Sequence, residues 1–339
     1  MTSPWKNKAI LLAAPKRASL PRFLDFIGNR LAGDGFTHLV LRVGYRYAFE
    51  SHPACRAKDP LTREDAAAIA AACRRAGIEL VPACNLFGHQ SGRNGVVEAG
   101  LLAAYPDMDE SLGRDKVRAD YCRSICPRHP GALAAATDIA AELGEAFQAR
   151  AVHVGCDEVF EIGVCERCRD TPTAVLFADW VNGLSRNLAA RGLGTFIWGD
   201  RLIPSEKPGQ EIWDVSDNGT ADAIGLIDKG IQIGDWHYWG QEAYPSVDRF
   251  ADAGLRIWIC PWCSAEAAGR FVSYAEAHDR GHIEGLLLTT WYAFEQFADA
   301  LEDRLAIAGE NDPNGKINEN VNGEAAVYRL FNANSKGGK

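Results

Sequence analysis

The sequence predicts an α/β protein built as a (β/α)8 TIM barrel, a single domain with loop insertions after the third and fifth strands. Three observations carry that expectation. Strand-like and helix-like segments alternate almost without break, and eight of each can be placed. The strand segments are short, continuous apolar runs, as expected of strands buried on both faces. A length of 339 residues suits one barrel, and the early Gly-x-Gly-x-x-Gly that would favour a doubly wound sheet is missing.

In chain order, strands are expected at 8–14, 37–43, 78–84, 151–155, 195–198, 231–236, 255–260 and 285–290. Helices are expected at 20–33, 62–76, 131–149, 174–191, 219–229, 242–253, 265–281 and 293–308, where apolar residues recur at helical spacing. Thr62-Arg63-Glu64-Asp65 reads as an N-cap with an acidic first turn. Gly33, Gly77, Gly192 and Gly254 follow predicted helices, where a left-handed cap is wanted. Two stretches break the rhythm, 85–130 and 200–218. Both follow C-terminal strand ends, where barrel active sites are built. Residues 1–308 are expected to form the catalytic barrel. Residues 309–339 are expected to be a C-terminal extension, either poorly ordered or a small cap, with an apolar patch at 325–331.

Composition narrows the function. The chain is 47% apolar and 24% charged with a net charge of -9, which leaves ample material for a large core. No basic run or aromatic-basic interleaving points to nucleic acid. No apolar stretch is long enough for a bilayer, and the N-terminus lacks the apolar core of a signal peptide. Several of the ten cysteines (Cys73, Cys84, Cys260) sit inside apolar runs, where thiols pack as small hydrophobes. Reduced thiols and a cytoplasmic location are therefore expected. No cofactor is called for, and the oligomeric state, including a homo-oligomer, is left open.

The most informative segment is His153-Val-Gly-Cys-Asp157-Glu158-Val159, an apolar strand ending in adjacent carboxylates. Two neighbouring anions repel, and each is costly to take out of water. Such pairs persist where chemistry needs two carboxyls in different protonation states. The plainer alternative is an exposed acidic turn capping the next helix. Other polar and aromatic groups also follow the strands: Arg17 after the first, Asn85 and His89 after the third, Trp198 and Asp200 after the fifth, Trp236 and Tyr238 after the sixth, Trp291 after the eighth. Flat rings beside charged and amide groups are the means by which proteins hold sugars. For any single tryptophan, core packing is an equal alternative.

His153-Val-Gly-Cys-Asp157-Glu158 resembles the His-x-Gly-Gly-Asp-Glu signature of glycoside hydrolase family 20, the β-N-acetylhexosaminidases. Pro82 to His89 resembles the family's segment ending in Gly-His, and the order of motifs over roughly residues 8–300 is closest to the hexosaminidase D-like branch. The resemblance implies a retaining exo-hydrolase acting on terminal β-linked 2-acetamido sugars, with a small-molecule or oligosaccharide substrate. In that family the substrate's own acetamido oxygen is the nucleophile, an exception to the two-carboxylate rule. By resemblance, Glu158 is the general acid and base, and Asp157 stays ionised and orients the acetamido group. Tyr238 donates to the acetamido carbonyl, Trp198, Trp236 and Trp291 wall the pocket, and His89 lies near the acid. Arg17, with Lys16 as its rival, holds sugar hydroxyls, the plainer alternative for both being a solvent-facing charge; Asp200 either holds hydroxyls or pairs with Arg201 or a helix N-terminus. Two departures stand out: Cys156 replaces a glycine, and Asn85 stands where relatives carry Asp. The expected substrates are terminal N-acetylglucosamine or N-acetylgalactosamine; the alternatives are a glycosidase or transglycosidase on another 2-acetamido sugar and, from a different class, a carbohydrate-binding pseudoenzyme of the same fold.

Cys122, Cys126, Cys165 and Cys168 form two pairs that could together hold a structural Zn2+. A loop-pinning disulfide or free thiols are the plainer options, and no metal is assigned.

Overall fold

The computed structural model describes residues 3–92, 95–114, 121–206, 213–305 and 315–332. Eight parallel strands close into a barrel in sequence order: β1 (Asn7–Ala13), β2 (His38–Arg42), β3 (Glu79–Ala83), β4 (Ala151–His153), β5 (Gly194–Trp198), β6 (Gln232–Trp236), β7 (Arg256–Cys260) and β8 (Ile283–Leu288). Closure is made by β1 against β8, with Asn7 opposite Gly285 and Ile10 opposite Leu288.

The continuous apolar character of the strands has a direct cause. Successive side chains alternate between the two faces. In β1, Ala9 and Leu11 point into the barrel and meet Val40, Val81, Phe196, Trp258 and Leu287. Ile10 and Leu12 point outward into the larger core beneath the helices. Both faces are dry, so polar residues are displaced to the strand ends.

The first helical segment, α1 (Leu20–Asp25), continues into a π-helical turn at Phe26–Leu31. The next, α2 (Arg63–Ala76), begins with a reciprocal cap between Thr62 and Asp65 and ends at Gly77 with φ of 69°. A short α3 (Leu101–Ala104) lies in the long insertion. Helices α4 (Ala132–Ala146), α5 (Thr173–Ala189), α6 (Ser246–Asp252), α7 (Ala265–Ala277) and α8 (Phe294–Leu301) occupy their expected places. The helix expected at 219–229 is absent. That stretch forms 3-10 turns at Thr220–Gly225 instead. The Asn182 side chain on α5 donates to the Leu226 carbonyl at 2.8 Å and accepts from the Asp228 amide at 2.9 Å. These backbone groups are thereby withdrawn from an α-helical ladder.

The C-terminal region contains a sixteen-residue helix, α9 (Gly315–Leu330). Val321, Ala325, Tyr328 and Phe331 are buried on its inner side. The Tyr328 ring stacks on Phe36 at 5.4 Å, and its hydroxyl donates to Asp34 at 2.6 Å. Among the described residues no helix is long and apolar enough to cross a membrane.

Candidate active site

Asp157 and Glu158 follow β4 at the C-terminal mouth of the barrel, and both are buried. The backbone that delivers them is unusual. Gly155, Cys156 and Glu158 all have positive φ, at 73°, 70° and 49°. A Cβ at Gly155 would fall 2.5 Å from Asn85, so only glycine permits this close crossing. Cys156 adopts its left-handed φ without that freedom, a conformation of order 1 kcal/mol or more above the usual basins. Non-glycine strain of this kind collects at functional sites.

Asn85 holds the turn. Its Oδ1 accepts from the Cys156 and Phe87 amides at 3.3 and 3.2 Å, and its Nδ2 donates to Asp157 Oδ1 at 2.6 Å. The departure from Asp at this position is thus a donor aimed at Asp157. His153 Nδ1 accepts from the Gly155 amide at 3.1 Å. Burial drives its pKa down to about 3 despite the nearby Asp157 charge, so it remains a neutral ring between Phe196 and Trp198.

His89 behaves in the opposite way. Its Nε2 lies 3.0 Å from Asp157 Oδ2 and 3.1 Å from Glu158 Oε2. Burial alone would depress its pKa, but the Asp157 charge and hydrogen bonds to Asp157, Cys122 and Glu158 lift it well above the usual value. Burial likewise opposes ionisation of Asp157, and His89 outweighs it, holding this carboxyl below its usual range. The two form a partly buried ion pair. The Cys122 thiol donates to Glu158 Oε2 at 3.2 Å. Cys122 therefore sits at the acid and is not a partner of Cys126, Cys165 and Cys168 as the sequence suggested. The Tyr121 ring stacks on His89 at 5.3 Å and is followed by Trp213 at 5.9 Å.

Asp200 is buried, and its oxygens are committed. Oδ2 accepts from the Glu158 amide at 2.9 Å and from Arg201 Nε at 2.7 Å, while Oδ1 faces Trp236 Nε1 at 3.4 Å. Burial raises its pKa to about 6, with Arg201 opposing and Asp157 and Glu158 adding to the rise. Asp200 thus fixes the backbone beneath Glu158 and takes the Arg201 pairing that the sequence offered as the alternative to hydroxyl binding. Arg17 takes the solvent-facing alternative: its Nε pairs with Asp65 at 2.9 Å and its side chain is 49% exposed. The Lys16 amide donates to Glu295 at 2.9 Å.

The remaining predicted residues line the other side of the mouth. The rings of Trp198 and Trp291 lie 5.7 Å apart, and Trp236 and Tyr238 lie 4.7 Å apart. Tyr238 Oη accepts from Trp291 Nε1 at 2.9 Å and is also hydrogen-bonded to the Thr289 side chain. Beyond Tyr238, His237 is clamped between Asp214 at 2.8 Å and Asp235 at 3.2 Å. These carboxylates overcome the opposing effect of burial and raise its pKa to about 9.

Two residues were not anticipated. Arg42, at the end of β2, lies 5.6 Å over the Trp291 ring and donates to the Trp291 carbonyl at 2.7 Å. Glu324, on α9, accepts from Trp262 Nε1 and from the Trp291 amide, both at 2.7 Å. Burial lifts the Glu324 pKa to about 7, against those hydrogen bonds and the Arg42 charge. An inward-pointing Arg at the end of a strand was a readable signal, whereas contact with the tail was not. A cavity at the opposite end of the barrel, bounded by Asn7, His38, Gln232 and Trp258, contains none of these groups.

Among the described residues two groups converge tightly enough to hold a metal: His89, Cys122 and Glu158, and separately Glu110, Cys126, Cys165 and Cys168. Members of the first group are already bonded to one another.

Paired acids, a bridging imidazole and a ring-lined wall thus stand together at the C-terminal mouth. The model of the glycosyl hydrolase family 20 catalytic domain matches residues 28–231, more than half of the sequence, and the chain belongs to that family of glycoside hydrolases. Solved structures agree in fold. A β-N-acetylhexosaminidase from Bacteroides fragilis superposes with a TM-score of 0.64 at 14% identity, covering 98% of this chain and 71% of its own. A chitobiase from Flavobacterium johnsoniae gives 0.62 at 14% identity, covering 99% and 53%. An exo β-N-acetylglucosaminidase from Vibrio harveyi, in complex with N-acetylglucosamine, gives 0.63 at 14% identity, covering 97% and 58%. The chain therefore spans between about half and three quarters of these relatives. No curated protein sequence matches.

Proposed function

We propose that this protein is a retaining exo-β-N-acetylhexosaminidase acting by substrate assistance on terminal 2-acetamido sugars. The observation that carries the reading is the His89–Asp157 ion pair beside Glu158. A carboxylate held ionised by a cation is suited to orient an acetamido N–H and to stabilise positive charge developing on that nitrogen. Asn85 supports the same state of Asp157 by donating to its other oxygen.

In the first step the acetamido oxygen bonds to the anomeric carbon as the glycosidic C–O bond breaks. The leaving oxygen takes a proton from Glu158. In the second step water adds to the same carbon, returns its proton to Glu158 and reopens the oxazolinium ring, with retention overall. Tyr238 supplies a donor to the acetamido oxygen, and Trp198, Trp236 and Trp291 enclose its methyl group and the sugar ring. N-Acetylglucosamine in the Vibrio harveyi relative supports a substrate of this class. The motif order fits the hexosaminidase D-like branch.

Turnover of an aryl N-acetyl-β-glucosaminide tests the reading. The wild type is expected to hydrolyse it, and Glu158→Gln to lose roughly 10²–10⁴-fold in kcat with an unchanged circular dichroism spectrum. Equal activity in the two would overturn the assignment. Tight binding of a thiazoline mimic without turnover would instead identify a carbohydrate-binding pseudoenzyme.

A further inference from the structure

The long insertion between β3 and α4 meets the segment that follows Glu158 at a cluster of sulfur atoms. Cys126 Sγ lies 3.5 Å from Cys165 Sγ and 3.6 Å from Cys168 Sγ. Glu110 brings a carboxylate oxygen into the same group, all four ligand atoms lying within 4.8 Å of one another. Cys126, Cys168 and Glu110 are buried, and Cys165 is partly exposed.

Glu110 is the decisive member. Its Oε1 accepts from the Val164 and Cys165 amides at 2.8 and 3.2 Å, which fixes the carboxylate. Its Oε2 is buried and has no hydrogen-bond partner among the described residues. A buried carboxylate oxygen without a donor is costly unless a cation meets it. The sulfur spacing points the same way. Zinc–sulfur bonds of about 2.3 Å make a tetrahedron whose sulfur–sulfur edge is about 3.8 Å, whereas a disulfide places its sulfurs about 2.05 Å apart. Three cysteines also make at most one disulfide, leaving a thiol and the bare oxygen unexplained. A four-coordinate ion uses all four groups.

We propose that Glu110, Cys126, Cys165 and Cys168 bind one structural Zn2+ in a closed tetrahedral site. Thiolates in the majority favour zinc over magnesium or calcium, and four protein ligands leave no open position for catalysis. The ion joins the insertion to the segment after the acid. Cys122, the thiol that donates to Glu158, lies four residues before Cys126 in the same insertion. The metal therefore holds the acid's thiol partner in place while taking no part in the reaction.

Metal analysis of tag-free protein purified without chelators tests this inference independently of the hydrolase assignment. The wild type is expected to contain about one zinc per chain. X-ray absorption at the zinc edge is expected to show about three sulfur neighbours near 2.3 Å and one oxygen near 2.0 Å. Cys168→Ser is expected to lose the zinc, and Glu158→Gln to keep it. Should Cys168→Ser misfold, release of zinc from the wild type by an organomercurial, followed with a chromogenic chelator, serves as the second readout. Protein without zinc, iron in its place, or a disulfide among Cys126, Cys165 and Cys168 detected by mass after alkylation would each overturn the proposal.

Discussion

The two sides of the barrel mouth are built by different physics. On the β3–β4 side, Asn85, His89, Asp157 and Glu158 are fixed by short directional bonds and by backbone in the left-handed region. On the β6–β8 side, Trp236, Tyr238, Trp262 and Trp291 are fixed by ring contacts and a few hydrogen bonds from outside the barrel. The first side is intolerant of a change of one atom, since every polar group depends on its neighbour's charge. The second presents broad surface that can absorb small shifts. The acids must be placed to a fraction of an ångström, whereas a sugar ring needs only a flat face.

Asp157→Asn attacks the charged side most directly. It keeps the shape and removes the ionised partner of His89, and kcat is expected to fall by about 10²–10³-fold. Steady-state kinetics check this, and a change confined to KM would contradict it. His89→Gln breaks the same pair from its other end. About 2 kcal/mol of stability is expected to be lost, less than for a fully buried pair because the imidazole is still 29% exposed. The pH dependence has a definite sign. The folded pKa of His89 is raised, so its contribution is complete below the unfolded value of about 6.5 and disappears as pH rises through the folded one. The folded pKa of Asp157 is depressed, so its contribution is present above about 3.9 and disappears as pH falls through the folded one. The melting temperatures of wild type and variant should therefore differ most between about pH 4 and 6.5 and converge in strong alkali.

The ring side is sharpened by Glu324→Ala, which removes the acceptor shared by Trp262 and Trp291. A loss of about 1–2 kcal/mol in urea unfolding is expected, with KM raised more than kcat is lowered. The smallest effect is expected from Arg17→Ala. An ion pair with a half-exposed arginine is worth under about 1 kcal/mol, and KM should stay within about twofold of wild type. A large rise in KM would restore Arg17 to the pocket.

The barrel was legible because its strands are dry on both faces, so each appears as an uninterrupted apolar run whatever its partners. The short strand β4 and its acids were legible for the complementary reason, that adjacent carboxylates after an apolar run have no packing role. What the sequence concealed depends on contacts between distant segments. Asn182 redirects the backbone at Leu226 and Asp228, and nothing local at 219–229 announces it. Arg17 follows a strand as a sugar-binding residue would, but Asp65 on α2 pairs with it. Cysteine spacing suggested four thiols, whereas the fold sends Cys122 to Glu158 and brings Glu110 to the other three. Trp291 was readable as an aromatic at the end of the last strand, but its support by Glu324 was not, since α9 follows that strand and returns to the mouth.

That return has a bearing on synthesis. The ribosome delivers Glu158 long before Glu324, so a nascent chain already carries its acid while Trp262 and Trp291 lack their shared anchor. The mouth is complete only once residue 324 has cleared the exit tunnel, so translation itself delays the finished site until the barrel behind it can close.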